Sequence, residues 1–108
     1  MKSKKVCDPE SRVESYLVSG VKNLGGVAYK FTAPNNSGVP DRIVLMPGGK
    51  TVFVELKREG GQLTVLQRRQ ITRIKNLGCR VEVLHGLAEV SNFLLQLARE
   101  QLAEGGLP

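Results

Sequence analysis

Val13, Leu17, Val21 and Leu24 recur at intervals of three or four between Asp8-Pro9 and Gly25-Gly26, a spacing that gathers apolar side chains on one helical face. Asp8 is expected as the N-cap, Pro9 as the first helical residue and the glycine pair as the stop. The period then changes. VAYKF (27–31), DRIVLM (41–46) and TVFVELK (51–57) are short runs rich in β-branched and aromatic residues, and each predicts a strand. TAPNNSGVP between the first two has the Pro, Asn, Ser and Gly content of an irregular loop. Pro47-Gly48-Gly49 reads as a three-residue hairpin turn. That length sets Leu45 opposite Thr51, Ile43 opposite Phe53 and Asp41 opposite Glu55.

Thr64 predicts the cap of a second helix, with Ile71, Ile74 and Leu77 as its inner stripe and Gly78 as its end. CRVEVL (79–84) predicts a fourth strand. Val90, Phe93, Leu94, Leu97 and Leu102 mark a final amphipathic helix before EGGLP. The expected order is αβββαβα. No internal repeat, low-complexity tract or coiled-coil heptad run interrupts it, and no Gly-rich phosphate loop points to a nucleotide cofactor.

The predicted hairpin brings two carboxylates side by side. Like charges opposite each other destabilise a sheet unless a cation or a proton lies between them. Alternation along the strand puts Lys57 on the face of Glu55, because Leu56 points the other way. Phosphodiester hydrolysis needs an activated water, an ion that polarises the phosphate and positive charge for the developing transition state. Asp41, Glu55 and Lys57 supply side chains for all three. Oxygen-only ligands favour Mg²⁺ or Mn²⁺ over Zn²⁺. Taken singly, Pro-Asp is also a common turn opener and Glu-x-Lys a common surface ion pair. Their order and spacing across one hairpin favour the metal centre.

Several other residues could flank this centre. Glu14 lies beside the first helix's apolar stripe, and pattern alone leaves it open between a metal-site margin and a solvated helix position. Lys30, Ser37 and the Gly38 backbone could bind a phosphate near Asp41, or the loop could be a plain connector. Arg42, beside Asp41, and Arg68 are expected to contact nucleic acid. Gln67, Arg68, Arg69, Arg73 and Lys75 give the second helix a basic surface that could follow a phosphate backbone or simply stay wet.

A length of 108 residues with 41% hydrophobic content points to a single domain, 1–108, with a modest core that self-association would help stabilise. No apolar run is long enough to cross a bilayer, and MKSKKVCDPE lacks the hydrophobic stretch of a secretory signal. An intracellular protein of cytoplasm or nucleoid is therefore expected. Cys7 and Cys79 show neither CxxC pairing nor histidine at ligand spacing, so ordinary thiols are expected. His85, which closes RVEVLH, is assigned no chemistry. The net charge of +6 and a pI near 9.7 favour a polyanionic partner. With no Trp and 5% aromatic residues, recognition of single strands by base stacking is not favoured.

Element order and residues together resemble the PD-(D/E)XK nuclease superfamily, whose restriction-endonuclease-like core is a mixed sheet flanked by helices in αβββαβ order. More closely, SGVPDRIVLMPGGKTVFVELKREGGQLTVLQRRQITRIKNLGCRVEVL resembles the virus-type replication-repair nuclease module, VRR-NUC. The resemblance implies an α/β fold with a mixed four-stranded sheet and an extra C-terminal helix. It also implies that Asp41, Glu55 and the Leu56 carbonyl bind Mg²⁺ or Mn²⁺, with Lys57 orienting water or stabilising the transition state. Glu14 matches the acidic position of the first helix. Gln67 matches the glutamine that opens the helix after the catalytic strand, in a supporting role that pattern reasoning does not select. The implied activity is that of a free-standing, Holliday-junction-resolvase-like endonuclease, associated with viruses, acting on branched DNA. Two symmetric incisions call for a homodimer.

Overall fold

The computed structural model describes residues 8–104. Cys7, most of the basic N-terminal run and the Gly105–Pro108 end lie outside the described residues. The elements are α1 (Glu10–Asn23), β1 (Val27–Lys30), β2 (Arg42–Met46), β3 (Lys50–Lys57), α2 (Val65–Asn76), β4 (Arg80–His85) and α3 (Gly86–Ala103). The expected order is thus observed, with strand bounds shifted by one residue and two helix starts corrected. Helix α1 takes Pro9, not Asp8, as its N-cap, and no side chain caps it. Asp8 instead reaches Arg12 at 3.5 Å on the surface. Helix α3 follows β4 without a loop, four residues before the first marker of its stripe, because Gly86 accepts the turn at φ 76°.

The strands lie in the order β1-β2-β3-β4, with β1/β2 and β2/β3 antiparallel and β3/β4 parallel. A parallel neighbour requires a crossover connection, and α2 supplies it. The hairpin register is the one that the three-residue turn dictates: Leu45 faces Thr51 and Ile43 faces Phe53. Gly48 and Gly49 both hold positive φ in that turn.

Alternation divides β3 between two layers. Val52, Val54 and Leu56 enter a core with Val13, Leu17 and Val21 of α1 and Val90, Phe93 and Leu97 of α3. Phe53, Glu55 and Lys57 point to the opposite face, where α2 packs. The core layer is tied at its edge by Arg80, which meets Glu82 at 3.1 Å and Glu100 at 2.9 Å and stacks over Phe93, and by Lys50, which meets Glu100 at 2.7 Å. Those cations, Arg80 first, hold the Glu100 carboxyl below its usual range.

Two expected stripe residues are exposed. Leu77 is 76% exposed and Leu102 is 61% exposed. Leu77 is the C-cap of α2, past the last helical turn, and Leu102 lies in the last turn of α3. Helical periodicity runs on past the end of the packed layer, and burial does not. Among the described residues no helix is long and apolar enough to cross a membrane.

Candidate active site

Among the described residues Glu55 is the one charged residue that is buried, 1% exposed, near the C-terminal end of β3 on the α2-facing side of the sheet. Its Oε2 accepts from Gln67 Nε2 at 3.2 Å and faces Lys57 Nζ at 3.8 Å. Its Oε1 is buried with no hydrogen-bond donor among the described residues. Burial pushes the Glu55 carboxyl up to about 7, the nearby Asp41 charge adds to the rise, and Lys57 opposes it. The charge of Glu10 on α1 contributes a smaller upward push.

Asp41 precedes β2 by one residue. Its backbone carbonyl accepts from Phe31 N at 2.8 Å, and its Oδ2 accepts from Leu56 N at 3.1 Å. The β2/β3 ladder therefore ends in main-chain pairing at Arg42↔Val54, and the Asp41 side chain takes over the next β3 donor. This fixes one carboxylate oxygen and keeps the Asp41 carboxyl next to that of Glu55.

Gln67 is held twice. It is the third helical residue of a capping box: Thr64 Oγ1 accepts from Gln67 N at 3.1 Å, and Gln67 Oε1 accepts from Thr64 N at 2.9 Å. The same side-chain amide spends its nitrogen on Glu55. The 32–40 loop docks on this helical turn: Gln70 Nε2 donates to Ser37 O at 3.3 Å, and Gly38, at φ 90°, lies against the Leu66 and Gln67 backbone. Ser37 and Gly38 thus stand next to the start of α2, while Lys30 is exposed at the end of edge strand β1.

The structure gathers Asp41, Glu55, Lys57, Leu56 and Gln67 as expected. It does not bring Glu14 to them. Glu14 Oε2 pairs with Arg42 Nη2 at 3.0 Å, and Arg42 Nη1 donates to Ala28 O at 3.0 Å. Both residues are absorbed at the α1/β2 seam, so Arg42 offers little free charge to a backbone. The α1 acid whose charge reaches Glu55 is Glu10, one turn earlier on the same flank. Its sequence signal was that i,i+4 relation to Glu14, which alone does not say which of the two is taken by an arginine. Arg68 is exposed, as a surface contact requires. His85 pairs with Lys57 in register, and its Nδ1 lies 3.4 Å from Glu89.

Two carboxylates that converge without a donor for Glu55 Oε1 form an oxygen-only cradle suited to a hard divalent cation. Among the described residues no three His, Cys, Asp or Glu side chains gather around one point, so the acidic set here is this pair.

A mixed sheet with a carboxylate pair, a lysine and a supporting glutamine at one end defines a nuclease-like α/β domain. The VRR-NUC domain model matches residues 26–88. The chain therefore belongs to the VRR-NUC family. It is 48% identical over 75 residues to "Putative nuclease p44" of Acyrthosiphon pisum secondary endosymbiont phage 1, covering 69% of this chain and 81% of that protein. A solved "VRR_NUC domain" structure superposes with a TM-score of 0.75 at 31% identity, over 79% of this chain and 92% of that one. A second, a "VRR_NUC domain protein", superposes with a TM-score of 0.68 at 18% identity, over 84% of this chain and 88% of that one, and attests the fold alone.

Proposed function

We propose that this protein is a metal-dependent, structure-selective DNA endonuclease of the Holliday-junction-resolvase type, working as a homodimer. Membership of a nuclease family supports the coarse activity. The observation that carries the metal dependence is Glu55: a buried carboxylate with one oxygen unserved, set beside Asp41 and held up to about 7. Such a group costs stability unless a cation or a proton offsets it.

Asp41 and Glu55 would hold Mg²⁺ or Mn²⁺, with the Leu56 carbonyl as a further ligand. Such an ion makes a nearby water more acidic and neutralises charge on the phosphate. Gln67 orients Glu55, and the Asp41 to Leu56 N bond keeps Asp41 from swinging out to solvent. Lys57, 3.8 Å from Glu55, places an ammonium where charge develops on the phosphoryl oxygens. Ser37 and Gly38, docked on the start of α2, and Arg68 would hold the strand by its phosphates, while Lys30, whose register partner Arg42 faces α1, would reach only a strand that passes the sheet edge.

The homodimer is supported by surface that one chain leaves bare. Val27, Tyr29 and Leu45 are exposed on the α2-facing side of β1 and β2, with Tyr29 at 60%. A single helix covers only about half of a four-stranded sheet, given ~10 Å for a helix and ~4.8 Å per strand. A second copy would cover such a strip and bring a second centre for the opposed strand.

The test is a panel of labelled four-way junctions, flaps and linear duplex in Mg²⁺, with Lys57→Ala and Glu55→Gln alongside and mass measured by sedimentation. Paired, Mg²⁺-dependent junction cuts by a dimer, lost in both variants, are expected. Flap cleavage by an obligate monomer would move the reading to a flap or nicking nuclease, and binding without any cleavage would reduce it to an idle DNA-binding module.

A further inference from the structure

Charge on this molecule is sorted by face. On the α1/α3 layer and its seams several cations are paired within the protein, Arg42 with Glu14, Lys50 with Glu100, and Arg80 with Glu82 and Glu100, and the exposed Arg12 reaches Asp8 at 3.5 Å. Helix α2, on the other face, carries Arg68, Arg69, Arg73 and Lys75 and no acidic residue. All four are exposed, and none has an acidic partner among the described residues. An open groove of about 510 Å³ runs over this helix, lined in part by Arg68, Arg69 and Arg73.

Cations paired with an acid of the same protein and free surface cations behave differently toward a polyanion. A cation already neutralised inside the protein releases no counterion when a phosphate approaches, whereas a free one does. Among the described residues the four α2 side chains therefore form a concentrated capacity for phosphate neutralisation. The helix also has a fixed relation to the chemistry, because its first turn is tied to Glu55 through Gln67. From there its 12 residues extend ~18 Å, the length of about five base-pair steps at ~3.4 Å each.

We infer that α2 is a rail for the duplex arm next to the cleaved bond: the arm lies along the outer surface of α2, and Arg68, Arg69, Arg73 and Lys75 contact its phosphates. The inference rests on the nuclease reading above and adds where the uncut DNA lies. These contacts are to backbone, so they add affinity without base preference. The cation spacing makes Arg68 and Arg69 proximal to the site and Arg73 and Lys75 distal.

The experiment compares two matched charge removals in the full chain. Arg69→Gln with Arg73→Gln removes two cations from the rail, and Lys22→Gln with Arg99→Gln removes two exposed cations from the α1/α3 layer. Binding of labelled duplex and junction is measured by anisotropy in EDTA across a salt series, so that the readout is independent of cleavage. Glutamine keeps helix propensity, and melting curves check folding. At ~0.9 per phosphate lost, the rail variant is expected to lower the slope of log K against log salt by about 1.8 and to weaken binding about tenfold or more near 0.1 M salt. The control variant should leave the slope close to wild type. Equal changes in both variants, or a larger change in the control, would overturn the rail. If the rail variant binds as wild type while junction cleavage persists, the rail falls and the nuclease reading stands. Absence of any salt-dependent DNA binding by the wild type would take down both.

Discussion

Gln67 Nε2 donates to Glu55 Oε2 at 3.2 Å while Gln67 Oε1 closes the capping box with Thr64, so one side-chain amide links the start of a helix to the buried carboxylate of the sheet. The orientation of Glu55 thereby depends on how well α2 begins. Gln67→Ala is expected to lower kcat/KM by about 10- to 100-fold, the usual effect of losing a group that orients a metal ligand. It also removes half of the capping box, worth about 1 kcal/mol. Thr64→Ala removes a comparable part of the cap but leaves the amide free to hold Glu55. Its melting point should fall similarly with a much smaller loss of kcat/KM. If the two variants lose activity in proportion to stability, Gln67 is only a helix cap.

Glu55 also dictates how stability varies with pH when no metal is bound. In the folded protein its carboxyl keeps a proton up to about 7, mainly through burial, whereas the unfolded chain releases it near the ordinary 4.5. Between those values the folded state binds more protons, so the stability of the metal-free protein falls as pH rises across the window and levels off above it. Denaturant melts in EDTA from pH 4 to pH 8.5 would show this decline, after allowance for groups common to both states. Glu55→Gln should flatten that part of the profile. Mg²⁺ should restore stability chiefly at the alkaline end, where the carboxylate is ionised. A rise in metal-free stability across the same window, abolished by Glu55→Gln, would mean that the environment of Glu55 favours its charged form instead.

Asp41→Asn separates the charge of Asp41 from its hydrogen bond. An asparagine oxygen can still accept from Leu56 N, so the end of the β2/β3 ladder is kept, while the repulsion on Glu55 disappears. The variant should melt higher than wild type in EDTA and gain less from Mg²⁺. Its Mg²⁺ affinity by calorimetry should fall by at least tenfold. Unchanged affinity would remove Asp41 from the ligand set.

What the chain announces in advance is local. The three-residue Pro47-Gly48-Gly49 turn admits one hairpin register, and with it the meeting of Asp41 and Glu55 follows from counting. Alternation then fixes the side of Lys57. Thr64 as a cap marks the start of α2 to the residue. What remains hidden is settled between elements distant in sequence. Glu10 and Glu14 share a flank of α1, and only the arrival of Arg42 from β2 decides that Glu14 is consumed in an ion pair. Likewise the periodicity of Ile71, Ile74 and Leu77 predicts one buried stripe, yet Leu77 lies beyond the layer that would cover it. The Gln67 to Glu55 bond leaves no periodic trace, and only resemblance to a family pointed to it.

Gly38 offers a test of whether the 32–40 loop serves the site or merely joins two strands. Its φ of 90° is one that L residues rarely adopt, and a Cβ there would lie 2.7 Å from the Leu66 carbonyl group and 2.9 Å from Gln67 N. Those atoms belong to the first turn of α2, so Gly38→Ala cannot be relieved by moving a flexible side chain. Either the loop lifts or the helix start shifts, at a cost of roughly 1–3 kcal/mol. Because Gln67 is part of that turn, the strain reaches Glu55, and kcat/KM should drop further than the loss of stability explains. Gly48→Ala is the control. It also has positive φ, at 87°, but meets nothing within 4 Å and lies at the far end of the hairpin. It should lose a similar backbone term and keep its activity. Equal activities for the two variants, measured well below both melting points, would show that the loop is a connector and that the site does not depend on its docking.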